Sequence, residues 1–350
     1  MNHSLPLLSR VADAVYWMAR YVERAENIAR YIGVNLNLQL DLPLSPSQQW
    51  KPLIDTTGDT EGFKERYGTA TQASVIEFLA YDLANPNSIA SCLGFARENA
   101  RSVRETISPE MWAQINSMYL QIQSQRSIPE PERLLDAFRE IRLGCHLFEG
   151  LAEATMSHNE AWHFLRLGRM LERADKTSRI LDVKYFMLLP SLKDVGTPYD
   201  DIHWSAVLKS VSGFEMYRKQ YGRISPHDVV EFLVLDREFP RAIHFCVSCA
   251  SESLHRITGT PFGSSRFKSE QLLGLLMGEL NFTFVDDVLR TGLHEYLDSL
   301  QHKMNEVDTA LDYDLLGHKV ALQGQSQSLP GMSQSQNSGS NQRSGNGVNA

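Results

Sequence analysis

The chain has 350 residues, 42% of them hydrophobic, enough for one large or two medium domains with a substantial core. A formal net charge of −8 argues against a broad electrostatic footprint on nucleic acid or on an anionic membrane, and no apolar run approaches membrane-spanning length. Four cysteines (Cys92, Cys145, Cys246, Cys249) suit a reduced cytoplasmic protein better than a disulfide framework, and the opening MNHSLPLLSR lacks the basic start and apolar core of a secretory signal.

From Val11 the apolar residues fall at Val15, Met18, Val22, Ala25, Ala29, Ile32 and Leu36, in alternating steps of three and four. That is the narrow seam of a bundle helix. Gly58, Gly62 and Gly68 mark an irregular stretch after it. Helical periodicity resumes over about 71–83, 86–107, 110–125 and 131–156. A second long seam runs Phe164, Leu167, Leu171, Ala174, Ser178, Leu181, Tyr185, and further helices are expected over about 200–211, 213–220, 226–236, 239–257, 267–280 and 283–316. Ser108-Pro109 and Ser225-Pro226 read as helix starts. No segment alternates as a strand does. The predicted fold class is therefore all-α, a long-helix bundle with antiparallel neighbours. Residues 323–350 are Ser, Gln, Gly and Asn with almost no large apolar groups, so a disordered tail is expected there.

The two long seams belong to matching segments. Shifted by 149 residues, Arg20 meets Arg169, Glu23-Arg24-Ala25 meets Glu172-Arg173-Ala174, Glu26 meets Asp175, and Arg30 meets Arg179. Shifted by 154, Trp50 meets Trp204, Tyr67-Gly68 meets Tyr221-Gly222, VIEFLAYD (75–82) meets VVEFLVLD (229–236), Pro86 meets Pro240, and Cys92 meets Cys246. This order of matches implies two tandem repeats of roughly 150 residues, 5–156 and 157–316, packed as one domain.

Opposite the first seam lie Arg20, Glu23, Arg24, Asn27 and Arg30, joined by Tyr16; the second copy offers Arg169, Glu172, Arg173, Lys176 and Arg179. Three readings are open: a solvated face with intrahelical pairs, a network between helices, or a cleft that grips carboxylate or phosphate through forked Arg bonds. Arg97 and Arg101 share a face of the 86–107 helix and are further candidates, either solvated or part of the same cluster.

YWMARYVERAENIAR (16–30) and FLRLGRMLERADKTSRIL (164–181) resemble the alpha-E domain family, an α-helical family named for its Glu-Arg motif. SCLGFARENARSVRETIS (91–108) and LVLDREFPRAIHFC (233–246) also look like segments of that family, although His244 stands where an Arg is expected. The resemblance covers about residues 5–316. It implies an all-helical protein in the company of circularly permuted ATP-grasp ligases and transglutaminase-like proteins, in systems that make or process small peptides. A non-catalytic partner or scaffold of such a ligase is the first expectation. The alternative is a ligand-binding or enzymatic protein using the paired Arg/Glu residues for carboxylate or phosphate groups. Neither nucleic acid nor membrane is expected as a partner.

Other motifs are weak. Glu160/His163 and Glu252/His255 have the spacing of di-iron ligands but occupy different positions in the two copies. Cys246-x-x-Cys249 lacks two further zinc ligands and reads as buried thiols. Asp286 and Asp287 are adjacent on a helix and point to different faces. Trp17, Trp50 and Trp204 read as packing groups. No nucleophile elbow, phosphate loop or His-Glu-x-x-His occurs, so no catalytic residue, metal site or cofactor is assigned.

Overall fold

The computed structural model describes residues 7–41, 46–124, 131–187 and 198–317, and all regular structure among them is helical. The tail expected to be disordered, 323–350, lies outside the described residues. Two long helices, α1 (Ser9–Asp41) and α8 (Glu160–Met187), form the centre. Contacts along them rise together: the Leu7 amide donates to Glu160, Arg20 to Glu172, and the Tyr31 hydroxyl to the Lys176 carbonyl. The central pair is therefore parallel, which corrects the expectation of antiparallel neighbours at this position.

The antiparallel neighbours are on the outside. α5 (Ile89–Ser102) and α7 (Pro131–Thr155) run against α1, and α12 (Ile243–Thr258) and α15 (Leu293–Leu311) run against α8. Their sense is fixed by contacts at two levels each, Arg24–Asn87 and Tyr21–Phe95 for α5, Glu26–His146 and Arg169–Glu149 for α7, Thr177–Arg241 and Arg166–Glu252 for α12, and Asp182–His294 and Arg20–Asp308 for α15. α6 (Pro109–Ser124) and α13 (Lys268–Phe282) close each side by packing on α5 and α7, or on α12 and α15. The core is continuous, and Trp50 and Trp204 are buried in it. No helix among the described residues is long and apolar enough to cross a membrane.

The stretch expected to be irregular holds two helices, α2 (Pro46–Thr57) and α3 (Thr60–Tyr67). Pro52 and the glycines obscure their periodicity, yet Leu53, Ile54 and Phe63 are buried. α9 (Pro198–Ser210) and α10 (Phe214–Tyr221) follow α8 in the chain as α2 and α3 follow α1. α4 (Gln72–Ile76) and α11 (Pro226–Val230) each widen into a π-type turn, Glu77–Tyr81 and Glu231–Leu235. Each turn ends at an Asp, Asp82 or Asp236, whose carboxylate accepts the amide two residues on. The long helix expected over 283–316 is broken at Gly292, leaving α14 (Val285–Thr291) before α15.

The close approach of α1 and α8 rests on Gly168. A β-carbon there would lie 2.5 Å from the Tyr16 carbonyl oxygen, a backbone atom that cannot rotate away. Gly168→Ala is therefore expected to push the central helices apart and cost about 1–3 kcal/mol, as overpacking does. Urea unfolding measures this; an unchanged midpoint would show that the helices approach less closely.

Candidate functional site

Between α1 and α8 the two Glu-Arg dipeptides pair crosswise. Arg173 forks onto Glu23, Nε to Oε1 at 2.9 Å and Nη2 to Oε2 at 2.8 Å. Arg24 forks onto Glu172, Nε to Oε1 at 2.7 Å and Nη2 to Oε2 at 3.0 Å. Each motif thus supplies the acid for the other motif's base. Forked geometry needs a guanidinium, which explains Arg rather than Lys at both positions.

The pairs sit in a larger network. Arg20 donates to Glu172 at 3.0 Å and to Asp308 of α15 at 2.5 Å, and the Tyr16 hydroxyl donates to the same Asp308. Arg169 and Arg173 both reach Glu149 of α7. Arg30 forks onto Glu26 on its own helix, and Arg179, also one turn on, pairs with Asp175 through Nε alone. Arg241 bridges Glu23 and Glu26 at 2.9 and 3.0 Å. Glu172 is fully buried, Arg30 is 1% exposed and Glu23 4% exposed, so the solvated-face reading is overturned. Periodicity finds the apolar seam and leaves the opposite face to water; here a second layer of helices covers that face.

Arg97 and Arg101 are not brought to the network. Arg97 bonds Asn116 of α6 and Glu98, and Arg101 pairs with Glu98 on the outer side of α5. Arg241, Glu149 and Asp308, which the sequence did not single out, do belong to it. Arg241 aligns with Asn87 at the 154-residue shift, so no match drew attention to it. The other weak motifs also find ordinary roles: Glu160 accepts the Leu7 amide, Glu252 pairs with Arg166, and Asp287 pairs with Arg290. All four cysteines are buried free thiols, and burial pushes Cys92 and Cys246 up to about 12. Among the described residues the one three-ligand group is His227, Asp228 and Glu231, half-exposed and remote in sequence from both Glu-Arg motifs.

The electrostatics favour fixed charge. Burial raises Glu23, but Arg173 and Arg241 outweigh it and hold its carboxyl down at about 2. Glu172 is likewise raised by burial and carried well below the carboxylate range by Arg24, Lys176 and Arg20. A general acid or base works best with a pKa near the working pH. These carboxylates stay ionised there and serve to hold guanidinium groups in place.

Glu23 has its folded pKa depressed, so its contribution is complete above the usual value near 4.5 and is lost as the pH falls toward 2. Stability is expected to drop through that window, and Glu23→Gln should flatten the dependence while lowering stability at neutral pH by a few kcal/mol. Thermal unfolding from pH 7 to 2.5 checks this; parallel curves for both proteins would contradict it. Arg173→Lys keeps the charge but cannot make the fork, and should cost about 1–3 kcal/mol by chemical denaturation. Full retention of stability would remove the need for Arg.

Three curated relatives match, two uncharacterized proteins of Mycobacterium tuberculosis strains and one of Mycobacterium bovis, each 23% identical over 353 residues and covering 93% of this chain. The chain spans about 38% of the length of these relatives. No solved structure matches. The alpha-E family, described as "a predicted alpha-helical domain with a conserved ER motif", matches residues 7–314. With both Glu-Arg dipeptides at the centre of the bundle, the chain belongs to the alpha-E family.

Proposed function

We propose that this protein is a non-catalytic helical partner or scaffold of an ATP-grasp-type peptide ligase, in a system that also uses a transglutaminase-like protein, and that it arose by tandem duplication of a unit of roughly 150 residues. The observation that carries the scaffold reading is the crosswise pairing of Glu23 with Arg173 and of Glu172 with Arg24. Charges spent on each other hold two halves in register; they do not attack a substrate. The duplication is supported by helices and π-type turns that recur at the same 154-residue spacing as the sequence matches.

Two further facts fit a partner role. In the mycobacterial relatives the matching region is part of a chain more than twice as long, so there it is joined to additional polypeptide. Phe282 at the end of α13 and Phe284 just beyond it are 84% and 73% exposed, with Leu275, two helical turns before Phe282, also in water. Large apolar groups clustered on a surface mark an interaction site.

Mixing the purified protein with an ATP-grasp ligase of the proposed system, from the same organism, tests the reading. Complex formation by analytical ultracentrifugation, or a changed rate of ligase-dependent ATP hydrolysis, is expected, and the double substitution Phe282→Ser, Phe284→Ser should weaken the complex about tenfold or more. No complex and no change in ligase rate would contradict it.

A further inference from the structure

The network is not symmetric in its use of space. Beside Arg20 and Arg24 of α1 a cleft of about 320 Å³ opens between α8, α15 and the turn at Thr57–Asp59. Beside Arg169 on the opposite side, the corresponding space is a void of about 10 Å³. The walls correspond: Leu171, Asp175 and Arg20 stand where Val22, Glu26 and Arg169 stand, and Met304, Asn305 and Asp308 follow Cys145, His146 and Glu149 by 159 residues. This correspondence rests on the duplication proposed above; the cleft itself does not.

Two side chains satisfy the carboxylates on the closed side. Arg241 bridges Glu23 and Glu26, and His146 bonds Glu26 at 3.2 Å. On the open side their places are held by Asn87 and Asn305, both shorter and neutral. Lys176 takes over the bridging task from the wall, at 3.0 Å from Asp175 and 3.5 Å from Glu172. The internal ion pairs are thus completed without filling the volume.

What remains in the cleft has both signs. Arg179 spends its Nε on Asp175, and neither of its Nη atoms has an acceptor among the described residues; Arg20 Nη2 is in the same position. The turn at Gly58, φ +79, passes beside the Arg179 guanidinium, with Nη1 3.8 Å from where a β-carbon would sit. The next residue, Asp59, accepts the Asn87 amide on Oδ1, while its buried Oδ2 has no partner and no cation lies within ion-pair distance among the described residues. Four cations (Arg20, Arg24, Lys176, Arg179) meet Asp59, Asp175 and Asp308 on the walls and Glu172 beneath them. A dianion would gain the guanidinium edges but face four carboxylates. A ligand with separated opposite charges satisfies both sets, and the volume is at the small end for a small-molecule site.

We propose that this cleft binds a small zwitterion carrying a carboxylate and an ammonium group, an amino acid or dipeptide, with the carboxylate on the free edges of Arg179 and Arg20 and the ammonium on Asp59. The reading goes beyond the scaffold role and does not depend on a ligase partner.

Calorimetric titration of the full chain with L-alanine, L-alanyl-L-alanine, N-acetyl-L-alanyl-L-alanine, L-alanyl-L-alanine amide and inorganic phosphate tests it. Binding of either zwitterion, about tenfold or more weakened in the acetylated or amidated forms, is expected. Asp59→Asn should weaken the zwitterion about tenfold and leave the acetylated form unchanged, and Asn87→Arg, which copies Arg241 into the open side, should abolish binding. If Asn87→Arg does not fold, Asp59→Asn carries the test. No zwitterion binding up to about 10 mM, equal binding of the blocked forms, or tighter binding of phosphate would overturn the proposal.

Discussion

Everything in this bundle depends on ionised side chains held away from water between two parallel helices. Removing Glu23 and Glu172 from solvent is costly, and a Coulomb attraction alone offsets that cost only when each oxygen also accepts a well-directed bond. The crosswise forks supply those bonds, two from Arg173 to Glu23 and two from Arg24 to Glu172. A hydrophobic seam of similar size would be at least as stabilising, but it would tolerate sliding by a turn. The forks do not, because a shift of one turn strands several buried charges at once. Register is thus the property that the ionic layer adds to the apolar one, and Gly168 lets the backbones come close enough for it.

Much of this is legible in the sequence. The three-and-four spacing from Val11 to Leu36 places α1, and the matched Glu-Arg dipeptides locate both halves of the network. What was not legible has physical reasons. Parallel packing leaves no trace in one helix's periodicity, since a seam is the same read in either direction. The burial of the polar stripe was invisible because Arg and Glu read as solvated residues unless a partner is known. Glu149, Asp308 and Arg241 come from elements remote in sequence, and only their geometry at α1 and α8 gives them a role. α2 and α3 were hidden by Pro52 and by glycines at their junction, where tertiary burial of Leu53 and Phe63 overrides weak local preference.

Under the proposed duplication, the departures between the halves carry as much information as the matches. Arg241 against Asn87, and His146 against Asn305, decide which side of the network is packed solid and which is open. Lys176, where the other half would have Asn27, pairs with both Glu172 and Asp175 on the open side. Rigidity alone, as the proposed scaffold role would require, is served by a packed arrangement on both sides. One side instead keeps a polar cleft lined by unused donors and an unused carboxylate oxygen.

The central claim is that the two motifs act on each other across the helix pair. A double-mutant cycle of Glu172→Gln and Arg24→Gln, read by urea unfolding, measures that coupling directly. An interaction energy of about 1.5–3 kcal/mol is expected, because either substitution alone already breaks the fork. Additivity within about 0.5 kcal/mol would mean that the two residues do not depend on one another, and would contradict it.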